Sequence, residues 1–227
     1  MPRTARASAA NYCYHVLNRG NARQEVFHKP DDYAAFLRLM AEADDRARCP
    51  AMRIVAYCLM PNHFHLVLWP RGDGDLSRWM QWLLTSHVRR YHRHYGTSGH
   101  VWQGRFKAFP IQKDDHLLTV MRYVERNPLR ASSLGVRRVE RWPWSSIGAA
   151  PPGVERPTLN AGPVPRGGDW LAWVNSPLTE AELTAVRHSI VRGAPFGDGA
   201  WQRRTATRLG LESTLRARGR PKKTPEK

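Results

Sequence analysis

Two histidines with one phenylalanine between them, His63-Phe64-His65, sit in the stretch "YCLMPNHFHLVLWP" at residues 57 to 70. The stretch reads as strand, tight turn at Pro61-Asn62, strand. Side chains alternate along a strand, so His63 and His65 share one face about 6–7 Å apart, and Phe64, Leu66 and Leu68 share the other. Two imidazoles at that spacing can converge on one divalent cation or on one phosphate. Two surface histidines on a strand also occur by chance, so the spacing alone leaves both readings open. A second group lies in "HLLTVMRYVERN". At 100° per residue His116, Tyr123 and Asn127 fall in one helical sector, bordering an apolar stripe of Leu117, Val120, Met121 and Val124. Tyr123 and Asn127 are one turn apart and therefore neighbours. A tyrosine hydroxyl can attack phosphorus, and an amide oxygen one turn away can add a third hard ligand to a cation held by two histidines. The plainer alternative is a half-buried tyrosine hydrogen-bonded to Asn127.

Elements must bring these groups together. Residues 11–18 read as a strand. An amphipathic helix follows from Asp31 to about residue 48, with Tyr33, Phe36, Leu37 and Met40 on one stripe. Strands are expected over 52–59 and 63–69. A long helix then runs to Tyr95, burying Leu76, Trp79, Met80, Leu83 and Val88 and closed by Gly96. A fourth strand is expected over 101–111, and a helix capped by Asp114 or Asp115 runs to about Asn127, before Pro128. The order β-α-β-β-α-β-α predicts an α+β, ferredoxin-like antiparallel sheet with two helices on one face and the other face open for chemistry. Residues 1–142 make this domain, and 143–175 read as a Pro/Gly-rich connection. Residues 176–212 read as a small helical region that opens on a Thr179/Glu182 capping box. The basic tail, 213–227, is expected to be disordered.

Charge narrows the partner. Lys and Arg number 36 against 19 acids, a net charge of +17, which suits a polyanion. On the fourth strand Gln103, Arg105 and Lys107 share one face and can hold phosphate if that face carries the histidines. Arg89, Arg90 and Arg93 make a cationic helix end, and Arg122, Arg126 and Arg130 flank the Tyr123 helix as candidate contacts to a nucleic-acid backbone. His15, His28 and His188 show no partner pattern. Three cysteines without a CxxC spacing point to a reducing compartment, and no apolar run is long enough to span a membrane.

The segments "YCLMPNHFHLVL", "GHVWQGRFKAFPI" and "RYVERNPLRA" together resemble the REP-associated tyrosine transposases, a branch of the single-tyrosine HUH transposases. The resemblance covers roughly residues 10–150. It implies a catalytic domain that nicks and rejoins single-stranded DNA carrying a hairpin of the repetitive extragenic palindrome type. It assigns the metal-binding pair to His63 and His65, the nucleophile to Tyr123 and a further metal ligand to Asn127. The implied cofactor is Mg²⁺ or Mn²⁺, and the implied location is cytoplasmic and nucleoid-associated. The branch also implies a monomer with Tyr123 acting in its own subunit, although the residues leave a dimer open. A tyrosine ordinarily ionises near ~10, so phenolate is scarce at neutral pH and a cation helps by stabilising charge on the scissile phosphate. The rival reading from another class is a non-catalytic module that binds DNA or RNA hairpins on the same scaffold. A third is a metal-dependent nuclease that uses water.

Overall fold

The structure, a computed structural model, describes residues 8–45 and 50–216. Four strands, β1 (Cys13–Arg19), β2 (Met52–Met60), β3 (His63–Pro70) and β4 (Lys107–Ile111), form one antiparallel sheet in the order β2-β3-β1-β4. Helices α1 (Pro30–Asp45) and α2 (Asp75–Tyr95) follow β1 and β3. This is the expected βαββαβ chain order, in which each helix carries the chain over one face of the sheet.

Local chemistry accounts for the ends of these elements. Pro30 stands at the start of α1, where its missing N–H costs nothing. The Asp32 carboxylate accepts from the backbone N–H of His28 and Lys29 at 2.9 and 3.2 Å and from the Tyr95 hydroxyl at 2.6 Å. Gly96 closes α2 with φ of 62°, a left-handed conformation that glycine adopts without strain. Phe36, Leu37 and Met40 of α1 and Trp79, Met80 and Leu83 of α2 pack with Phe64, Leu66 and Leu68 of β3 into one core layer.

On that layer His87 rather than Val88 is the buried member of the α2 stripe. Its ring lies 5.1 Å from Phe36 and 5.2 Å from Trp102, and burial pushes its pKa down to about 3, with Arg90 acting in the same sense. The unfolded chain therefore takes up this proton first. Stability is full above about pH 6.5 and falls as the pH drops towards 3, with roughly 2 kcal/mol lost from this group by pH 5. A His87→Phe variant is expected to show a smaller fall in melting temperature between pH 7 and pH 5 than the native chain. Equal acid-induced falls in calorimetry would count against it.

The opposite face of the sheet is not open. Helix α3 (Asp115–Glu125) lies across it, burying Leu117, Val120, Met121 and Val124 against Cys58, Val67 and Phe109. Helix α6 (Glu180–Arg192) packs against α3 and β4. Burial of an apolar stripe on α3 needs an apolar partner, and the second sheet face supplies it. Two shorter segments complete the region: α4 (Asn127–Arg130) and α5 (Trp170–Asn175), the latter without a clear sequence signal. Beyond α6 lie α7 (Gly199–Leu209) and α8 (Glu212–Leu215). The capping box at Thr179 and Glu182 is present, and Asp114 caps α3 by accepting from the His116 N–H at 2.9 Å.

Two boundaries and the path of one connection differ from expectation. The fourth strand starts at Lys107 rather than 101, because Gly104 at φ of 147° breaks the extended run. The helix carrying Tyr123 ends at Glu125, and Arg126, with helical dihedrals, links it to α4. Residues 143–160 run along the outer strand: Leu59 and Asn160 donate backbone hydrogen bonds to Trp144 and Ile54, and Ser146 donates to Tyr57. At the other edge Phe196 bonds to the backbone of Pro110 and Gln112. Both sheet edges are thus covered, which removes them as sites for pairing with another chain. Most of the basic tail, and the end of α1 expected to reach residue 48, lie outside the described residues.

Candidate active site

Register builds the site. β1 pairs with β3 so that Arg19 stands opposite His63 and Leu17 opposite His65. Residues opposite each other share a face, so Arg19, His63 and His65 all look towards α3. His65 is 4% exposed; His63, at the strand's end, is half-buried. Their rings meet edge to face at 5.1 Å. Tyr123, on the inner side of α3, brings its ring to 5.8 Å from that of His65. Asn127 begins α4, is buried, and lies near enough to His63 to raise its pKa. Four residues drawn from two distant stretches of sequence therefore meet at one place on one sheet face.

Electrostatics at this place are distinctive. Burial lowers the pKa of His63 to about 4, assisted by the positive charge of Arg19 and Arg130, while the contact with Asn127 opposes the shift. Burial also holds the pKa of His65 well below its usual value, and His15, His63, Arg130 and Arg19 push it the same way. Both imidazoles are neutral at physiological pH and carry the lone pairs that a cation needs. The Arg130 guanidinium lies 4.5 Å from the Tyr123 ring centroid, and its buried Nη1 has no hydrogen-bond partner among the described residues. A buried, unpaired guanidinium N–H beside a phenol is a place for an anionic oxygen.

The donor set fits a hard or borderline divalent cation. Two imidazoles and one amide are present, both described cysteines are buried away from solvent, and no group of three or more His, Cys, Asp or Glu suited to a metal is found among the described residues. Such a site leaves further coordination positions to water or to substrate oxygens.

Beside His63 opens a groove of about 500 Å³. Asn18, Arg19, Gln103, Arg105 and Lys107 line one side, and Ile190 and Val191 of α6 line the other. Gln103, Arg105 and Lys107 thus share a groove with His63. Gln103 and Arg105 do so from an irregular segment and Lys107 from the first position of β4; the irregular segment is pinned where the Gln103 N–H donates to Arg19 O at 2.8 Å and Asn18 Nδ2 donates to Gly104 O at 3.0 Å. The C-terminal helices, whose role the sequence left open, contribute the groove's apolar wall.

Other candidates are placed elsewhere. Arg122, 4% exposed, donates to the carbonyls of Trp173, Ser176 and Pro177, and Arg126 donates to those of Val174 and Asn175. These two guanidinium groups bind the C-terminal region and are not available to DNA phosphates; the helix periodicity flanking Tyr123 could not reveal that. Arg89, Arg90 and Arg93 belong to α2, on the sheet face opposite Tyr123, and Arg90 also lies 3.9 Å from Asp32. His116 turns to Asp114 at 2.8 Å and to Phe196, away from the pair. Two residues were missed. Arg19 faces His63 across the ladder, and His15 is fully buried with Nε2 at 2.8 Å from Nδ1 of His65. Alternation along "CYHVLNR" places His15 and Arg19 on one face; only the strand order, which local pattern does not carry, tells that His63 and His65 share it.

Comparison with known proteins places these features in context. The model of a family described as "Transposase IS200 like" matches residues 8–127. A curated Haemophilus influenzae protein, provisionally named a REP-associated tyrosine transposase, is 30% identical over a stretch covering 41% of this chain and 57% of that protein. The chain thus spans little more than half the length of this relative. A solved structure of a REP-associated tyrosine transposase bound to a REP hairpin superposes with a TM-score of 0.51 at 20% identity, covering 65% of this chain and 83% of that one. That likeness establishes the shared fold.

Proposed function

Because the chain belongs to the IS200-like transposase family, we propose that it binds hairpin-forming single-stranded DNA, nicks it through Tyr123 and rejoins the strands. The observation that carries this reading is the convergence of His63, His65, Tyr123 and Asn127 on one face of the sheet, beside a guanidinium whose buried Nη1 has no hydrogen-bond partner among the described residues. The hairpin would lie on the basic surface and its single-stranded flank in the groove, where Arg19, Arg105 and Lys107 meet phosphates. Such contacts position a strand without reading its bases.

In the proposed step the Tyr123 oxygen attacks the scissile phosphorus and the bond to the 3′ oxygen breaks. A 5′-phosphotyrosine remains, and the phenolic proton ends on the departing 3′ oxygen. One phosphodiester replaces another, so the free 3′-hydroxyl of a second strand can reverse the step and join the ends. Arg130, stacked on the phenol, holds a phosphate oxygen as charge builds there. His63, His65 and Asn127 would hold a Mg²⁺ or Mn²⁺ ion, which when bound supplies further charge stabilisation at the phosphate.

The decisive experiment incubates the full chain with Mn²⁺ and single-stranded DNA from beside its own gene, and searches by mass spectrometry for a nucleotide on Tyr123. The adduct is expected with Mn²⁺ and absent with a chelator. No covalent product on any single-stranded hairpin tested would reject the reading in favour of a binding module.

A pH prediction follows. Protons compete with a cation only below the ligands' folded pKa values, which burial lowers to about 4 for His63 and well below the ordinary value for His65. Mn²⁺ affinity at pH 5.5 is expected within about two-fold of that at pH 7.5. Two histidines of ordinary pKa would lose roughly 100-fold over the same interval. Isothermal titration at the two pH values distinguishes these outcomes.

A further inference from the structure

His15 has no place in the reaction just described, yet it is the most enclosed polar group beside it. It is 0% exposed, lies edge to face with Phe109 at 5.0 Å and with Tyr123 at 6.1 Å, and puts Nε2 2.8 Å from Nδ1 of His65 with the two ring planes only 21° apart. Only one N–H fits between two ring nitrogens at that distance, so one ring donates and the other accepts.

The companion histidine shows what such a contact decides. Nδ1 of His63 faces Oδ1 of Asn62 at 2.6 Å, and the Asn62 amide is oriented by donating Nδ2 to Arg23 O at 3.1 Å. An amide oxygen only accepts, so His63 carries its proton on Nδ1 and keeps Nε2 bare. His65 has a partner that could work either way. The choice fixes whether its other nitrogen meets the site as a lone pair or as an N–H.

We propose that His15 is a positioning residue: its Nε2 accepts the Nδ1–H of His65, locking that ring in place with Nε2 bare and turned to the site beside that of His63. This rests on the cation-site reading above. The charge distribution selects this sense. Arg19, opposite His63 in the ladder, and Arg130, 4.5 Å from the Tyr123 ring, stand on the same side of the sheet as the site and raise the positive potential at His65. A lone pair directed into that potential is favoured over the positive end of an N–H. The consequence falls on His15, whose own proton then sits on Nδ1, a buried nitrogen with no hydrogen-bond partner among the described residues. An unpaired buried donor is costly, and a leucine in the same apolar surroundings would avoid it. A histidine kept here against that cost is accounted for by what it does to His65, in the way that outer partners commonly fix the tautomer and orientation of metal-binding histidines.

The test uses the full chain with histidine ¹⁵N-labelled, its His15→Leu and His15→Gln variants, and Mn²⁺ as the probe ion. Long-range ¹H–¹⁵N spectra of the metal-free native protein are expected to show His65 protonated on Nδ1 and bare on Nε2. His15→Leu is expected to lose that tautomer preference and to bind Mn²⁺ roughly 10- to 100-fold more weakly, with a melting temperature close to the native protein's, because the unpaired ring nitrogen of His15 is exchanged for that of His65. His15→Gln, whose Oε1 can accept the same N–H, is expected to recover most of the affinity. A native spectrum with His65 protonated on Nε2 overturns the proposal, and so does native Mn²⁺ affinity in His15→Leu; if that variant does not fold, native affinity and a changed His65 tautomer in His15→Gln overturn it instead. A native protein that binds no Mn²⁺ yet shows the Nδ1–H tautomer would sink the cation-site reading while leaving the His15–His65 pairing established.

Discussion

A Tyr123→Phe variant is expected to form no covalent protein–DNA adduct while binding hairpin DNA within about two-fold of the native affinity. The loss of strand cleavage should be on the order of 10³-fold or more, since the nucleophile is removed outright. The reason to expect clean separation of binding from cleavage lies in how the ring is held. Tyr123 is 5% exposed, and its fixed contacts are ring contacts: His65 at 5.8 Å, His15 at 6.1 Å and the Arg130 guanidinium at 4.5 Å. A phenylalanine keeps all three, so folding stability should shift by less than ~1 kcal/mol. Gel-shift binding and denaturing-gel adduct assays on the same preparation measure both halves. Adduct persisting in the variant would remove Tyr123 from its assigned role, and cleavage without adduct would favour attack by water.

The second large effect concerns stability. Glu125 is 1% exposed and lies midway between Tyr123 and Asn127. Its carboxylate accepts from Ser146 Oγ and Trp170 Nε1, each at 2.7 Å, and lies 3.7 Å from Arg166. Burial raises its pKa, and those three partners oppose the rise. One side chain thus ties α3 to the segment along β2 and to α5. Glu125→Ala removes the carboxylate beside Arg166, which keeps its hydrogen bond to Val55 O, and leaves Trp170 Nε1 and Ser146 Oγ without this acceptor; losing a buried network of this kind costs roughly 3–5 kcal/mol. For a chain of this size the melting temperature should fall by on the order of 10 °C. Glu125→Gln, which can still accept from Trp170, should lose distinctly less. A fall of under about 2 °C in thermal denaturation of the alanine variant would show that the network is not holding the C-terminal region.

The fold was legible wherever short-range pattern carries the information. Alternation at Phe64, Leu66 and Leu68 and the stripe of Tyr33, Phe36, Leu37 and Met40 marked one core layer, and both are buried in it. Capping chemistry at Asp114 and Thr179 and the stop at Gly96 needed only neighbours in sequence. The site was legible as far as His63, His65, Tyr123 and Asn127 are concerned, because two periodicities each put a pair on one face. What failed was everything that depends on which face meets which. Nothing local in Leu117, Val120 and Val124 says that their stripe covers the second sheet face. Nothing in Arg122 or Arg126 says that the carbonyls of residues 173–177 lie within reach. His15 looked unpartnered because its partner stands 50 residues away, on a strand whose neighbour is set by the sheet order.

The attachment of α3 bears on how the proposed strand exchange would proceed. The helix is fastened underneath by Leu117, Val120, Met121 and Val124 and from the side by Arg122, Arg126 and Glu125. A nucleophile on so firm a mounting has little freedom to travel between donor and acceptor. In the proposed reaction the nucleic acid would do the travelling: one end would stay tethered while the other slips out of the groove and a new 3′ terminus threads in. Turnover would then be paced by how readily DNA reptates past Val191 and Arg105, and loosening that doorway would speed the cycle without touching the chemistry.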